Sequence, residues 1–379
     1  MSSDLETVPA LAALRALRDT CSAAIDALQQ PFSDTQISLL DSRPTCTVLS
    51  KDFQSLLTLI YTSTTKVTLV LRPSAPAPSA ALAPIKDLGT SITSFATCAT
   101  LFDLHGATLA SDARSMAREV CEAVRALAST FVDSAGEDYL VRTGTVHDLV
   151  EKARRDLPVD NLAAVKKRWK ADRDMMGDSL EEINAMLEDA GEGEDEAESD
   201  EFDDEWDELG FGASKKMSDA EIERTKKVQP LVRFATLYHK RVVPDVLNGL
   251  SSSVESSDGL HSALDALPSR SHAVVLALEE VVATLYAPQK PPALAAAASS
   301  LAEAIHQVHG TITNPALMPP ALQETDLAKE LSRLSIEGSK AADKKAKDPR
   351  KWFDSCLAQV DKAAKAVDEM LIAHITNAT

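Results

Sequence analysis

Glycine and aromatic residues are scarce in this chain of 379 residues, which has 13 Gly, 9 Phe, 4 Tyr and 3 Trp. Sheets favour aromatic and β-branched residues and are often joined by glycine-bearing turns, so this composition argues against a β fold. Apolar residues still make up 44% of the chain, which is enough for hydrophobic cores. Ala and Leu, both strong helix formers, are abundant. The sequence therefore predicts an all-α protein.

Paired cysteine motifs and long apolar runs are also missing. Four of the five cysteines fall inside apolar helical patterns, which is typical of small buried residues in a reducing compartment. No window approaches the roughly 18 uninterrupted apolar residues of a membrane span. The acidic N-terminus lacks the basic start and apolar run of a signal peptide. We expect a soluble intracellular protein.

Motifs that bind phosphate or carry catalysis are not found, since the sequence has no GxxxxGK[ST] loop and no GxSxG elbow. One E-x-x-H pair, Glu303 with His306, and the nearby His309 match part of the ligand set of a di-iron bundle. A second such pair is missing, so histidines at the surface or rim are the preferred interpretation. His147 is interpreted as a packed or half-buried helical histidine. We predict that the chain is not an enzyme and uses no metal or cofactor.

Apolar residues recur at helical spacing almost everywhere. The second predicted helix has Ser50 as its N-cap, and its β-branched end, TKVTLVL, leaves a strand as an alternative. Further helices are predicted near 80–103, 107–133, 138–156, 270–287 and 292–309. Ser218 with Glu221 forms a capping box at the start of a long helix, in which Phe234, Leu237, Tyr238 and Val242 are expected to be buried. The stripe of the second helix consists of Phe53, Leu57, Ile60, Thr64, Val67 and Leu71.

A strongly acidic segment divides the chain. Residues 188–208 hold 14 Asp and Glu and no Lys or Arg, and without them the net charge would be −5 instead of −19. A purely solvating segment needs no aromatic residue, yet Phe202 and Trp206 lie within it and Leu209 and Phe211 follow. Phe202, Trp206 and Leu209 share one side of a helix at i, i+4 and i+7. These four residues form a candidate docking motif for a partner groove, or alternatively attach the segment to the chain's own helices.

The acidic segment also sets the predicted domain organisation. We expect an N-terminal helical bundle over 1–187, an acidic disordered loop over 188–217 and a C-terminal helical bundle over 218–379, with antiparallel helices in each bundle.

Two blocks that flank the acidic segment resemble the cyclin-D-interacting (GCIP-type) family. The first is RTGTVHDLVEKARRDLPVDNLAAVKKRWKADRDMMGDSLEEI at 142–183, and the second is WDELGFGASKKMSDAEIERTKKVQPLVRFATLYHKRVV at 206–243. At position 147 the chain has His where the family usually has Trp. The matching positions are Gly144, Val146, Leu157, Pro158, Asn161, Asp178, Glu181 or Glu182, and Glu223 to Lys227.

This resemblance implies an all-α protein with bundles similar to those of talin and vinculin. It also implies a non-enzymatic regulator in the cytoplasm and nucleus that binds D-type cyclins and helix-loop-helix transcription factors. The acidic net charge argues against direct binding to nucleic acid, and the lack of a long apolar run argues against membrane insertion. Two alternatives stay open from the residues. One is a cytoskeletal adaptor of the talin/vinculin kind, and the other is an acidic chaperone of basic proteins such as histones.

Overall fold

A computed structural model of the chain describes residues 2–31, 43–133, 138–191, 216–250, 258–318 and 349–377. These residues form ten α-helices and two short 3₁₀-helices, with no strand among them, which confirms the all-α class. No described helix is both long enough and apolar enough to cross a membrane. The α-helices are α1 (Ser2–Gln29), α2 (Cys46–Val70), α3 (Pro78–Leu101), α4 (Ala107–Asp133), α5 (Tyr139–Asp156), α6 (Asn161–Gly191), α7 (Asp219–Asp245), α8 (Asp258–Leu285), α9 (Pro291–Ile312) and α10 (Pro349–Asn377), and the 3₁₀-helices are Phe102–His105 and Leu247–Gly249.

The chain divides into two compact units, residues 1–165 and 166–379. The break falls inside α6, whereas the sequence placed the end of the first bundle at residue 187. The buried side chains of α6 beyond residue 165 explain this difference, because they contact α7 and α8. Trp169 donates from Nε1 to the carbonyl of His239 in α7, and Asp172 accepts from Ser271 in α8.

The first unit is a bundle of five helices. Each helix packs against two neighbours in the circular order α1, α3, α2, α5, α4, and α3 also contacts α4. The predicted stripe of α2 points into the centre of this ring, where Phe53, Leu57, Ile60, Thr64 and Val67 are at most 1% exposed. Phe53 packs against Phe95 of α3 with ring centroids 4.6 Å apart. The β-branched end of α2 is helical as far as Val70, which settles the strand alternative.

Two polar contacts fix the ends of helices in the first unit. Asn161 is 3% exposed, and its Oδ1 accepts from the backbone N–H of Leu109 in the first turn of α4 at 3.0 Å. Gly106 permits this approach, since its φ is +115° and a Cβ there would lie 2.2 Å from the Asn161 Cγ. Arg114 donates to both carboxylate oxygens of Asp103 and to the carbonyls of Leu28 and Gln30, and so holds the end of α1.

The second unit contains the rest of α6 and helices α7 to α10. Helix α7 packs against α8, α9 and α10, and α9 packs against both α8 and α10. The predicted capping box is confirmed: Ser218 and Glu221 exchange both of its hydrogen bonds at the start of α7. Four of the free cysteines of the chain are buried as predicted, with Cys356 in this unit and Cys21, Cys98 and Cys121 in the first.

Three details of the predicted helices are wrong. Helix α2 begins a turn before Ser50, because Thr45 is the N-cap and accepts from the Val48 N–H. Helix α8 begins at Asp258 and contains Pro268, since Leu264 and Leu267 extend its buried stripe toward the N-terminus. Leu237 is 43% exposed, because the buried stripe of α7 follows its immediate neighbour Tyr238.

Candidate functional site

The predicted docking residues Phe202, Trp206, Leu209 and Phe211 lie outside the described residues. Their role in binding a partner or in attaching the segment stays a prediction.

An apolar cleft of about 280 Å³ opens at one end of the first bundle. The linker between α2 and α3 forms one wall, and it turns back because the N–H of Ala77 donates to the carbonyl of Val70 at 2.9 Å. The other walls come from the N-terminal part of α1, the end of α2 and the end of α4. The cleft is lined by Ala10, Leu11, Leu14, Leu71, Pro73, Pro76, Pro78 and Phe131.

Several large apolar side chains near this cleft are exposed to solvent. Leu69 lies two residues before the lining residue Leu71 and is 61% exposed. Leu140 and Val141, in the first turn of α5, are 66% and 67% exposed. They follow Tyr139, whose ring lies 6.0 Å from that of Phe131. Large exposed apolar side chains at the surface are typical of protein-binding sites when they adjoin a concave apolar surface.

The most buried polar cluster lies in the second unit and contains an aspartate, a serine and a histidine. Ser271 Oγ donates to Asp172 Oδ2 at 2.5 Å and lies 2.7 Å from His239 Nε2. Because the single hydroxyl proton goes to the carboxylate, the serine oxygen accepts Nε2–H from the imidazole. Trp169 stacks on His239 with centroids 4.2 Å apart.

The hydrogen bonds run from His239 to Ser271 and from Ser271 to Asp172, and this direction does not suit nucleophilic catalysis. A catalytic imidazole must take the serine proton, but His239 is the donor in this pair. Both Ser271 and His239 are 0% exposed. Burial lowers the pKa of His239 to about 3, and its Nδ1 has no hydrogen-bond partner among the described residues. The cluster therefore fixes the packing of α6, α7 and α8.

A second buried network joins the start of α7 to the loop between α8 and α9. Glu221 Oε1 accepts from the backbone N–H of Gln289 at 2.7 Å. The Gln289 side chain accepts from Arg224 Nε at 2.9 Å and donates to Thr225 Oγ1 at 3.0 Å. The backbone amides of Ser218 and Gln289 lower the pKa of Glu221. The family-like segment Glu223 to Lys227 thus contains two residues that hold this loop in place.

The histidines considered for chemistry lie in packing contacts. His147 stacks on Tyr61 with centroids 3.9 Å apart, and its Nε2 lies 3.2 Å from Thr65 Oγ1, so it fits the interpretation of a packed, half-buried histidine. Burial lowers its pKa.

The E-x-x-H histidines join α9 to its neighbours. His306 Nε2 lies 2.6 Å from Asp361 Oδ1, and His309 Nδ1 lies 2.7 Å from the Tyr238 hydroxyl oxygen. Glu303 instead accepts from Gln307 at 3.2 Å. Among the residues that the structure describes, no group of three or more His, Cys, Asp or Glu is arranged to hold a metal ion.

The apolar cleft was not predicted from the sequence. A sequence signal for it exists in the Pro/Ala/Ser linker that contains Pro73, Pro76 and Pro78 and follows α2. The local sequence does not predict that Leu140 and Val141 are exposed, because their exposure depends on where the first turn of α5 lies relative to the neighbouring helices.

The fold and these contacts define an all-α protein of two compact helical units, with an exposed apolar surface of the kind that binds proteins. Models of the N-terminal and C-terminal parts of the Grap2 and cyclin-D-interacting family match residues 52–189 and 202–310. The chain belongs to this family, whose description implies a protein-binding role. The matched residues extend well beyond the two blocks that carried the resemblance. A comparison with curated proteins found no match.

Proposed function

We propose that this chain is a non-enzymatic protein-binding regulator of the cell cycle or of transcription, acting in the cytoplasm and nucleus through cyclin-type or helix-loop-helix partners. The family match on both sides of the acidic segment is the observation that carries this proposal. The family description itself refers to interaction with D-type cyclins.

The structure supports a binding role through the apolar end of the first bundle. Leu69, Leu140 and Val141 leave apolar area in water that a partner would cover. A non-enzymatic role is supported by the buried Asp172–Ser271–His239 cluster, whose hydroxyl proton is committed to the carboxylate.

The direct test is binding of the purified full chain to an immobilised D-type cyclin and, separately, to a helix-loop-helix domain. We expect at least one of them to bind, and the double variant Leu140→Ser with Val141→Ser to bind about tenfold more weakly, as expected for loss of a central apolar contact. Both residues are exposed, so the double variant is expected to fold normally.

The matched control is Leu276→Ser, since Leu276 is 54% exposed on α8 of the other unit. It should bind like the unmodified chain. If neither partner binds, the proposed partners are wrong. Recovery from cells of actin-linked proteins alone would favour the cytoskeletal adaptor instead.

A further inference from the structure

We infer that the apolar cleft of the first bundle binds an amphipathic helix of a partner protein that carries acidic side chains along the edges of its apolar face. This inference rests on the proposed protein-binding function and specifies the chemistry of the partner at that site. Three features of the cleft support it: its size, the hydrogen-bonding capacity of its wall and the charge of its rim.

The size of the cleft suits a few side chains. A volume of about 280 Å³ lies at or below the lower end of small-molecule sites, which run from roughly 300 to 1,000 Å³. The cleft is also open, and exposed apolar side chains lie at the helix ends around it, with Leu69 near the end of α2 and Leu140 and Val141 in the first turn of α5. An apolar helix face that places anchors one turn apart fits an elongated surface of this kind.

The wall of the cleft favours a helix over an extended peptide. Pro73, Pro76 and Pro78 line the cleft, and proline has no backbone N–H to donate. An extended peptide needs partners for its own backbone groups, whereas a helix satisfies most of its backbone groups internally. The cleft therefore accepts apolar side chains from a segment whose backbone is already hydrogen-bonded.

The charged residues around the cleft indicate the sign of the charge that a partner should carry. Arg15 follows the lining residue Leu14, Arg72 lies between the lining residues Leu71 and Pro73, and Arg142 follows the exposed Val141. All three are exposed, and the structure shows none of them in an ion pair with a described residue. Arg18 is different, since it lies 3.7 Å from Asp133.

Two exposed carboxylates lie at the same helix ends, Asp138 before Leu140 and Asp133 in its pair with Arg18. The arginines still outnumber them, in contrast to a chain whose net charge is −19. Guanidinium groups at the edge of an apolar cleft favour carboxylates at the edge of the ligand and raise the association rate. A flat anionic membrane would also meet arginine, but it could not insert into the cleft between α1, α4 and the linker. A helix with acidic borders satisfies both the concave apolar surface and the rim.

The test uses two labelled synthetic helical peptides with the same leucine face, one bordered by Glu and the other by Lys, titrated with the full chain. We expect the Glu peptide to bind about tenfold more tightly than the Lys peptide and to weaken as salt is raised from about 50 to about 300 mM. The triple variant Arg15→Glu, Arg72→Glu, Arg142→Glu should abolish or reverse this preference.

The matched control is Lys51→Glu, Lys86→Glu, Arg118→Glu, which changes the charge of the same unit by the same amount at exposed positions away from the cleft. It should keep the preference for the Glu peptide. A second variant, Leu69→Ser with Leu140→Ser, should weaken the binding of both peptides, and far-UV circular dichroism checks that each variant is folded.

Equal binding of the two peptides, or binding that the arginine variant leaves unchanged, would overturn the inference. So would arginine-dependent binding to phosphatidylserine vesicles without binding of the Glu peptide, which would assign the surface to membranes. Cyclin binding measured on the same variants separates the two proposals. If the cyclin binds all variants and the Glu peptide shows no arginine-dependent preference, the inference fails and the proposed function stands. Arginine-dependent binding of the Glu peptide without binding of the cyclin or of the helix-loop-helix domain supports the inference and contradicts the proposed partners.

Discussion

The buried polar residues of the two units differ in kind. In the first unit they are uncharged, and most are hydroxyl residues such as Thr64, Thr68 and Thr143. In the second unit they include Asp172, Glu221, Arg224 and His239, each of which can carry a charge. Burying an ionisable group is unfavourable unless it is hydrogen-bonded, so the second unit depends on complete networks in a way that the first does not.

This difference means that apolar packing holds the helices of the first unit, whereas specific polar contacts fix the helices of the second. The first unit relies on apolar packing around the ring of α1 to α5, and such cores tolerate conservative exchange of one apolar residue for another. In the second unit, Ser271 must meet both Asp172 and His239, so α6, α7 and α8 are restricted to one register. We therefore expect substitutions and pH to affect the two units unequally.

The largest expected effect is on Trp169, the fully buried aromatic residue that couples α6 to α7. Trp169→Ala removes its packing on His239 and leaves a cavity, which should destabilise the second unit by about 3–5 kcal/mol. Hydrogen exchange measured by mass spectrometry should show lost protection in α7 and α8 and retained protection in α2 and α3.

The matched change in the first unit is Phe53→Ala, which removes a ring that is also 0% exposed. Phe53→Ala should lower the free energy of unfolding by a similar amount. Hydrogen exchange should then show lost protection in α2 and α3 and retained protection in α7 and α8. If either variant deprotects both units equally, the two units unfold together and the comparison between them fails.

Acidification should destabilise the second unit through His239. Its pKa is about 3 in the folded state against 6.5 in the unfolded chain, so the unfolded state binds the proton first as pH falls. The stabilising contribution is complete well above pH 6.5 and is lost toward pH 3, with roughly 3 kcal/mol of it lost between pH 6.5 and pH 4. The lowered pKa of Glu221 acts in the same direction at the acidic end.

Urea unfolding of the full chain at a series of pH values checks this prediction. His239→Gln keeps an amide donor for Ser271 but does not titrate, so the stability of this variant should fall less steeply between pH 6.5 and pH 4. His147→Gln in the first unit is the control and should change the slope much less, because His147 is half-buried. Equal slopes for the unmodified chain and His239→Gln would contradict the assignment.

Helices were predictable where one apolar stripe decides burial. Leu57, Ile60 and Val67 are buried as predicted because α2 presents a single face to a ring of neighbours. Leu237 was wrongly predicted to be buried because a helical stripe that starts at Phe234 can continue through either Leu237 or Tyr238. Only the position of the packed neighbours chooses between them.

The candidate site could be predicted less well, since it depends on contacts between residues far apart in sequence. The cleft joins α1, the linker after α2 and the end of α4, and no periodic pattern connects these segments. The capping box of Ser218 and Glu221 was recognisable, but the contact of Glu221 with Gln289, 68 residues later, was not.

Two loop contacts offer a smaller test of the same contrast. Gln289→Ala in the second unit leaves Arg224 and Thr225 without that partner in a buried place, which should cost about 2–3 kcal/mol. Asn161→Ala in the first unit removes one acceptor from the Leu109 N–H and should cost about 1 kcal/mol. Thermal unfolding of both variants ranks them, and a larger effect of Asn161→Ala would contradict the unequal dependence on polar networks.

Surface ion pairs should distinguish the two units least of all. Lys152 lies 3.0 Å from Glu119 in the first unit, and Lys226 lies 3.2 Å from Glu223 in the second, with all four side chains at least 36% exposed. Water and salt screen both pairs, so Lys152→Gln and Lys226→Gln should each change the stability by less than about 0.5 kcal/mol. Urea unfolding at low and high salt measures this. A change above 1 kcal/mol in the second unit alone would mean that its dependence on charge extends from the buried networks to its surface.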